Sequence, residues 1–306
     1  MILEVFAFMT LLQLLYFDTL ARVLHYTQAA KELHISQPSL SYAMKELEKE
    51  LHVELFTRKN RKMILTPYGQ RFLPYVQKAL QILDNGKSAL AEMTDAAEHV
   101  VSLGYFHSIA ESFIPPLIES FYKIPSQRSI QFQFQEGTAF EIFSQVKNGE
   151  LNLGFTTFRD DNVYACLVMQ QPLYLVVPLE HPLAKKNAVT FQDFAHESLV
   201  ALTKGNSLRQ QMDQVFAKQD IIPKIVFEVQ GCDAALRYID LKFGVGILPE
   251  IPAFKSSRVV ALPIADRGTE FIRNVYLIWD AVRILSPSME KVKDFIVSNY
   301  SLNQQD

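Results

Sequence analysis

The chain has 306 residues, of which 49% are hydrophobic and 21% charged, and its formal net charge is −3 at neutral pH. This length allows two or three domains of ordinary size, and the composition excludes disordered and fibrous proteins. The two cysteines, Cys166 and Cys232, match neither a disulfide framework nor a metal-binding spacing. They are interpreted as reduced thiols of a cytoplasmic protein, with a redox switch as the lesser alternative.

The first seventeen residues are apolar, yet they do not have the features of a secretion signal. They contain Glu4, no basic residue comes before the apolar run, and no small-residue cleavage site follows it. The stretch is also too short to cross a bilayer. We expect no membrane association, a first helix over Leu11–His25, and Met9 as an alternative start that leaves Met1–Phe8 as an extension.

Residues 27–51 predict two helices separated by a tight turn. Thr27 is expected to cap the first helix, Gln28–Leu33, and Ser36 to cap the second, because both residue types accept a hydrogen bond from a free N–H. In the second helix apolar residues recur at steps of four, three and four, which indicates one buried stripe. The stripe consists of Leu40, Met44, Leu47 and Leu51.

The opposite face of that second helix is polar. Taking about 100° per residue, it presents hydroxyl groups, a phenol and cations rather than apolar side chains. These residues are Pro38, Ser41, Tyr42, Lys45 and Lys49. Such a face suits a recognition helix that lies in a DNA major groove.

A predicted wing follows, with short strands over His52–Phe56 and Met63–Thr66 around a polar turn. A run of charge is usually only a solvated face. Beside a recognition helix, however, the cations favour phosphate contacts. The residues expected to contact double-stranded DNA are Thr27, Ser36, Gln37, Pro38, Ser41, Tyr42, Lys45, Arg58, Lys59, Arg61 and Lys62.

A long helix is predicted after Pro67, with Thr66 as its cap and a bend at Pro74. Its apolar residues follow the four-three spacing of a heptad seam. The seam consists of Phe72, Val76, Ala79, Leu83, Gly86, Leu90, Met93 and Ala97. The helix either packs on its own domain or forms a homodimer seam. We favour the dimer, because the helix lies between two domains and has no single core to pack against. Two heads held at a fixed separation would then read the half-sites of an interrupted palindrome.

From residue 98 onward, strand and helix patterns alternate, which predicts an α/β domain. The expected strands are Val100–Tyr105, Ser129–Gln135 and Leu151–Thr156, then a second set of Leu173–Pro178, Phe191–Phe194, Leu199–Leu202, Leu208–Lys218 and Ile225–Glu228, and finally Gly244–Pro249 with its turn and Asn274–Trp279. The expected helices are Glu111–Tyr122, Ala139–Asn148, Cys232–Leu241 and Pro287–Tyr300.

Enzyme motifs are incomplete. His196-Glu197 begins like a zinc-protease motif, but Val200 occupies the second histidine position. Pro249 replaces the third glycine of a dinucleotide site after Gly244-Val245-Gly246, and Ser207 lacks the glycine that a nucleophile elbow requires. We predict no enzyme activity, no catalytic residue, no metal and no cofactor.

Three segments carry a resemblance to the LysR-type transcriptional regulators: LQLLYFDTL, TQAAKELHISQPSLSYAMKELEKELHVELFTR and LTPYGQRFL. The resemblance implies a multidomain α+β fold with a winged helix-turn-helix (1–66), a linker dimerisation helix (67–97) and a two-lobed, periplasmic-binding-protein-like effector domain (98–306). Lobe 1 would comprise 98–171 and 269–306, and lobe 2 would comprise 172–268. The chain would cross between lobes near Gln170-Gln171 and Arg267-Gly268.

The resemblance also implies functional positions and partners. Gln37, Pro38, Ser41 and Tyr42 match DNA-contacting positions of the family, although Tyr42 stands where Arg is usual. The ligand-contacting positions fall on Ser108, Thr138 and Thr203, whose hydroxyl groups beside free amides can hold an anion such as a carboxylate. Each could instead simply cap a helix. Phe106 and His107 are neighbouring candidates.

The implied partners are a small-molecule effector of unknown identity, RNA polymerase, and further copies of the chain in a homotetramer. Ligand binding would change the angle between the lobes and so the separation of the heads. Two alternatives remain open: a solute-binding protein or metabolite receptor that acts through a protein partner, and a redox sensor that bridges Cys166 and Cys232.

Overall fold

The computed structural model describes residues 9–60, 62–93, 99–265, 269–281 and 285–302. The chain divides into two compact units, Met1–Ala91 and Glu92–Asp306. The boundary between them falls inside the predicted linker 67–97. The N-terminal unit is called the head, and the C-terminal unit the effector domain.

The head consists of three short helices, a two-stranded wing and one long helix. Its elements are α1 (Leu11–Val23), α2 (Tyr26–Glu32), α3 (Gln37–Leu51), β1 (Phe56–Lys59), β2 (Lys62–Leu65) and α4 (Pro67–Met93). The predicted stripe of α3 is confirmed, because Leu40, Met44 and Leu47 are fully buried against α1 and α2. Leu51, at the end of the stripe, is half-buried.

The predicted start of α2 was wrong. α1 ends at Val23 because Leu24 takes a left-handed conformation (φ 52°), and its N–H donates to the Leu20 carbonyl oxygen. The cap of α2 is His25, whose Nδ1 accepts a hydrogen bond from the Gln28 N–H at 3.3 Å. Thr27 therefore lies inside the first turn of α2, where it is exposed.

The first wing strand begins four residues later and ends three residues later than predicted, and the second lies one residue earlier than predicted. Glu48 on α3 accepts hydrogen bonds from the N–H groups of Leu55 (2.8 Å) and Phe56 (3.2 Å), which ties the preceding segment to α3 instead of to a strand. β1 and β2 pair antiparallel with Lys59 opposite Lys62. The described wing cations Arg58, Lys59 and Lys62 thus lie in the strands rather than in the turn.

Thr66 caps α4 as predicted, since its Oγ1 accepts from the Gly69 N–H at 3.1 Å and donates to the Glu54 carbonyl at 2.6 Å. Phe72 and Val76 pack in the head core, so the first part of the predicted seam contacts its own domain. Farther along, Leu83 is 49% exposed and Leu90 is 66% exposed. The dimer seam thus stays a prediction for this outer half. Ala97 lies outside the described residues.

The effector domain contains nine strands and seven α-helices within the described ranges. Its strands are β3 (Val100–Phe106), β4 (Gln131–Gly137), β5 (Leu153–Thr156), β6 (Val163–Pro178), β7 (Ser198–Leu202), β8 (Lys224–Val229), β9 (Gly246–Pro249), β10 (Val259–Pro263) and β11 (Ile272–Asp280). Its helices are α5 (His107–Ala110), α6 (Ile114–Tyr122), α7 (Ala139–Lys147), α8 (Phe191–Phe194), α9 (Ser207–Lys218), α10 (Cys232–Asp240) and α11 (Pro287–Tyr300). The prediction of strands over Phe191–Phe194 and Leu208–Lys218 was wrong, since both segments are helical; in α9 the buried Leu208, Met212 and Val215 recur at helical spacing.

Two large hydrophobic cores define two lobes, and a smaller cluster that includes Ile142 and Val146 of α7 lies within the first lobe. Lobe 1 is built around β3, β5 and the later part of β11, and lobe 2 around the later part of β6, α9 and α10. The sheet order is β10-β6-β11-β5-β3-β4, with β9 also paired to β6, while β7 and β8 pair in parallel separately. The multidomain α+β architecture is therefore as predicted from the resemblance.

β6 and β11 carry the chain between the lobes, and the sequence predicted only part of each. β6 begins at Val163, ten residues before the predicted start, because its first half pairs with β11. β10 was not predicted, and it pairs with the second half of β6. The second crossing lies after Phe271, which is buried in the core of lobe 2. Arg267-Gly268, where the crossing was expected, is outside the described residues.

Candidate functional site

The outward face of α3 presents polar side chains to solvent. Gln37, Pro38 and Lys45 are exposed, Tyr42 is 67% exposed, and Ser41 is half-buried. Ser36 is occupied as the cap of α3, since its Oγ accepts from the Ser39 N–H at 3.2 Å. The cap and the buried stripe together fix which face of α3 is free to contact a partner.

The wing adds cations beside this helix. Arg58, Lys59 and Lys62 are exposed, and none forms an ion pair with a described acidic residue. Arg61, the fourth predicted cation, lies outside the described residues. Exposed and unpaired cations next to a polar helix face are suited to phosphate contacts. The Tyr42 phenol, however, cannot make the bidentate guanine contact of an arginine.

The effector domain contains a cavity of about 290 Å³ between the two lobes. It is lined at the end of β3, the start of α7, the β7–α9 turn and the start of α10. All five candidate effector residues line it: Phe106, His107, Ser108, Thr138 and Thr203. Residues that are far apart in sequence are thus brought together in one cleft.

Arg273, which the sequence reasoning missed, also lines the cleft. It lies at the crossing of the lobes, opposite Gln171 in the β6–β11 ladder, and is only 4% exposed. Its Nη2 donates to Ser108 Oγ at 2.7 Å, its Nε donates to Gln171 Oε1 at 3.0 Å, and its guanidinium lies 5.0 Å from the Phe106 ring centroid. Burial lowers the pKa of Arg273 because it disfavours the charged form.

The α7 wall of the cleft carries a negative charge. Thr138 and Glu141 form a capping box, in which Thr138 Oγ1 accepts from the Glu141 N–H and Glu141 Oε2 accepts from the Thr138 N–H at 2.7 Å. These bonds lower the pKa of Glu141, with a smaller contribution from His107. Thr138 thus serves as a helix cap, and Glu141 faces the cleft as a carboxylate.

The wall from lobe 2 is polar and uncharged. It consists of Thr203, Gly205, Asn206, Ser207, Gln230, Gly231 and Cys232. Asn206 caps α9 by accepting from the Leu208 N–H at 2.9 Å. Burial raises the pKa of the Cys232 thiol, and the nearby Arg273 partly opposes this shift. Cys232 therefore contributes a neutral thiol to the wall.

His107 and Cys232 line the cleft, whereas Cys166 is not among the residues that line it. His107 Nδ1 contacts Glu136 Oε1, and both side chains are largely exposed. Cys166 lies on the lobe 1 half of β6, whereas Cys232 lies in the core of lobe 2, and both thiols are free. The structure thus gives no support to a bridge between the cysteines.

One sequence signal could have found Arg273. It stands inside IRNVYLIW, a mostly apolar strand, and a lone cation at such a position needs an anionic or polar partner. No such signal marks Glu141, because a glutamate three residues after a capping threonine is an ordinary helix start.

Among the described residues no helix is long and apolar enough to cross a membrane. Nor does any cluster of three or more potential metal ligands occur in the described part of the chain.

Residues 11–70 match the family model for the bacterial regulatory helix-turn-helix protein of the lysR family, and residues 94–301 match the LysR substrate binding domain. The chain belongs to the LysR family of DNA-binding transcriptional regulators with an effector-binding domain. Its relatives are transcriptional regulators and not enzymes.

Three similar proteins illustrate the match. The HTH-type transcriptional regulator YybE of Bacillus subtilis is 33% identical over 87% of this chain and 90% of its own length. The effector binding domain of QuiR in complex with shikimate has a TM-score of 0.62 and 26% identity, covering 66% of this chain and 97% of that one. Full-length CbnR complexed with its target DNA shares the fold, with a TM-score of 0.64, 21% identity, and coverage of 95% and 99%.

Proposed function

We propose that this regulator binds an interrupted palindrome through its head and is controlled by a small anionic metabolite in the cleft of its effector domain. The proposal rests on one observation: Ser108, Thr138 and Thr203 line the same cavity as the buried Arg273. The cleft thereby combines hydroxyl groups from both lobes with a cation that has no carboxylate partner among the described residues.

For DNA recognition, the proposal assigns sequence preference to the outward face of α3 and general affinity to the wing. Gln37 and Ser41 offer donors and acceptors to base edges, while Arg58, Lys59 and Lys62 neutralise phosphates. Tyr42 and Lys45 extend the same face, and Thr27 extends the surface along α2.

The proposal that the effector is an anion rests on the positive charge of Arg273 and on one structurally similar protein. QuiR binds shikimate, which is a carboxylate, and its effector domain is 26% identical to this chain. A carboxylate would accept from the Arg273 guanidinium and from hydroxyl groups such as Ser108 and Thr203. The identity of the effector is left to experiment.

The proposed control passes through the crossing strands. Arg273 on β11 donates hydrogen bonds to Gln171 on β6 and to Ser108 at the start of α5. A ligand that binds Arg273 would therefore change contacts of both strands that join the lobes. A ligand with different affinities for two lobe arrangements shifts their populations. In a dimer formed through α4, or in a cytoplasmic tetramer built from two such dimers, this shift would change head separation, DNA bending and access of RNA polymerase.

The recognition assignment is tested with the double variant Gln37→Ala/Ser41→Ala. Each lost base contact removes about 1–3 kcal/mol of discrimination. The operator found by footprinting DNA beside this gene should therefore lose at least about tenfold in affinity relative to random duplex. Gln77→Ala, an exposed glutamine on α4, is the matched control. An equal loss on operator and random DNA would contradict the assignment.

The effector assignment is tested by repeating the footprint with a metabolite panel that includes shikimate. We expect at least one anionic member to change the extent or the affinity of protection. A panel that leaves protection unchanged throughout, while operator preference is intact, would refute control through the cleft.

A further inference from the structure

The charged residues that line the cleft narrow the chemical class of the anion that it can bind. Four charged or titratable side chains line the cavity: Arg273, Glu141, His107 and Cys232, of which Cys232 is a neutral thiol. Arg273 is a buried cation, Glu141 is a carboxylate with a lowered pKa, and His107 contacts the carboxylate of Glu136. The walls therefore supply one buried positive site and one fixed negative site.

Arg273 has unused capacity for an anion. Its hydrogen bonds to described residues use Nε and Nη2, and no described residue accepts a hydrogen bond from Nη1. No carboxylate of the described chain lies within ion-pair distance of it. The contrast is Arg209, which is 6% exposed and bonds both Asp213 and Glu228 at 2.8 Å. A buried guanidinium without a counter-ion favours a ligand that supplies one.

Glu141 has the opposite effect. Its Oε2 accepts the Thr138 N–H, while no described residue donates to its Oε1. A second negative charge on a ligand of this size would lie in the same cavity as this carboxylate, where like charges repel; because Glu141 is exposed, water screens part of this repulsion and leaves about 1 kcal/mol at close range. A hydroxyl or ammonium group would instead donate to Glu141.

We propose that the effector is a monocarboxylate that also carries hydrogen-bond donors, either a hydroxy acid or an amino acid, with its carboxylate on Arg273 and a donor on Glu141. Dicarboxylates are selected against by Glu141. This inference rests on the proposed function, since it concerns the same cleft. The uncharged polar wall of Thr203, Asn206 and Gln230 suits the remaining hydroxyl or amide groups of such a ligand.

The test uses the full chain and a panel in which hydroxy acids, amino acids, dicarboxylates and neutral esters are equally represented. Shikimate with methyl shikimate, and asparagine with aspartate, are matched pairs within it. Binding is measured by thermal shift and calorimetry. We expect binding only among monocarboxylates. Comparison of the hydroxy acids with the amino acids shows whether Glu141 accepts a hydrogen bond from a hydroxyl group or from an ammonium group. Equal binding of dicarboxylates or esters, or no binding by any monocarboxylate, overturns the inference.

Two variants separate the roles. Arg273→Gln should weaken the best monocarboxylate by about tenfold to a hundredfold, since it removes a charged hydrogen bond. Arg258→Gln, whose side chain is 86% exposed, is the control and should have no effect. Unchanged affinity in Arg273→Gln overturns the inference. If that variant loses its cooperative unfolding transition, Arg273→Lys, which keeps the charge, is used and should bind more weakly than wild type but prefer the same class.

Glu141→Gln keeps the capping box, because glutamine serves equally at that position. The ratio of asparagine affinity to aspartate affinity should fall at least about fivefold in this variant, if repulsion between Glu141 and the second carboxylate of aspartate contributes about 1 kcal/mol. The control is Glu290→Gln, a first-turn glutamate of α11. An unchanged preference overturns the role of Glu141. Preference for the operator over random duplex is measured on the same samples. If the wild-type protein shows no such preference, the proposed function is refuted. If it prefers the operator but does not select monocarboxylates over dicarboxylates, only this inference is refuted.

Discussion

The head and the effector domain both present groups suited to anions, but in opposite environments. On the head, Arg58, Lys59 and Lys62 are exposed and spread along two strands. In the cleft, a single guanidinium is 4% exposed and is held by Gln171 and Ser108. Exposed charges are screened by salt and act additively, whereas a buried charge is screened much less. One chain thus combines diffuse binding of a polyanion with directed binding of a single charge.

The largest effect that tests this contrast comes from removing the wing cations. In the triple variant Arg58→Gln/Lys59→Gln/Lys62→Gln, the plot of log affinity against log salt concentration should become shallower by about 0.9 for each lost phosphate contact. Affinity for operator and for random duplex should fall together, because phosphates carry no sequence information. Titrations by fluorescence anisotropy at several salt concentrations measure both quantities.

A matched triple variant is available for comparison. Lys224→Gln/Lys255→Gln/Lys291→Gln removes the same charge from exposed positions of the effector domain. It should leave the salt dependence close to that of wild type. If both triples change the slope equally, only net charge matters, and the wing has no specific role.

A smaller effect is expected from Glu48, which positions the wing without being part of the exposed face. Glu48→Ala leaves the N–H groups of Leu55 and Phe56 without their acceptor, at a cost of about 1–3 kcal/mol in the free energy of unfolding of the head. Glu48→Gln retains an oxygen acceptor and should be milder. Chemical denaturation followed by circular dichroism compares the two variants. Equal destabilisation would mean that the charge, and not the hydrogen bonds, holds the wing.

The smallest effect is expected for ligand affinity as salt is raised. Because Arg273 is buried, the dissociation constant of the best monocarboxylate should change by less than about twofold between 50 and 200 mM salt. DNA affinity should fall many-fold over the same range. Calorimetry at the two salt concentrations provides the comparison, and a steep loss of ligand affinity would place the ligand on an exposed charge instead.

The two regions also differ in how much the sequence could predict. The recognition helix was predicted with its cap and buried stripe, because Ser36, Leu40 and Met44 act within a few turns of one helix. The wing strands were misplaced because a side chain of α3, Glu48, fixes the residues before β1. That contact is not visible in the alternation of apolar and polar residues.

The cleft depends on longer distances in sequence. Three of its five candidate residues were placed by resemblance and the other two as their neighbours in sequence, and all five line one cavity. Arg273 and Ser108 are 165 positions apart and come together only because β6 and β11 cross between the lobes. Neither the full length of β6 nor the existence of β10 follows from local periodicity, since each depends on its pairing partner.

The most direct test of the whole account is one binding experiment on the purified full chain. Affinity for the footprinted operator is compared with affinity for random duplex at moderate salt, with and without the best monocarboxylate. We predict a preference of at least about a thousandfold for the operator, and a change in that affinity when the ligand is added. Equal affinity for both DNAs, unaffected by ligand, would contradict the account.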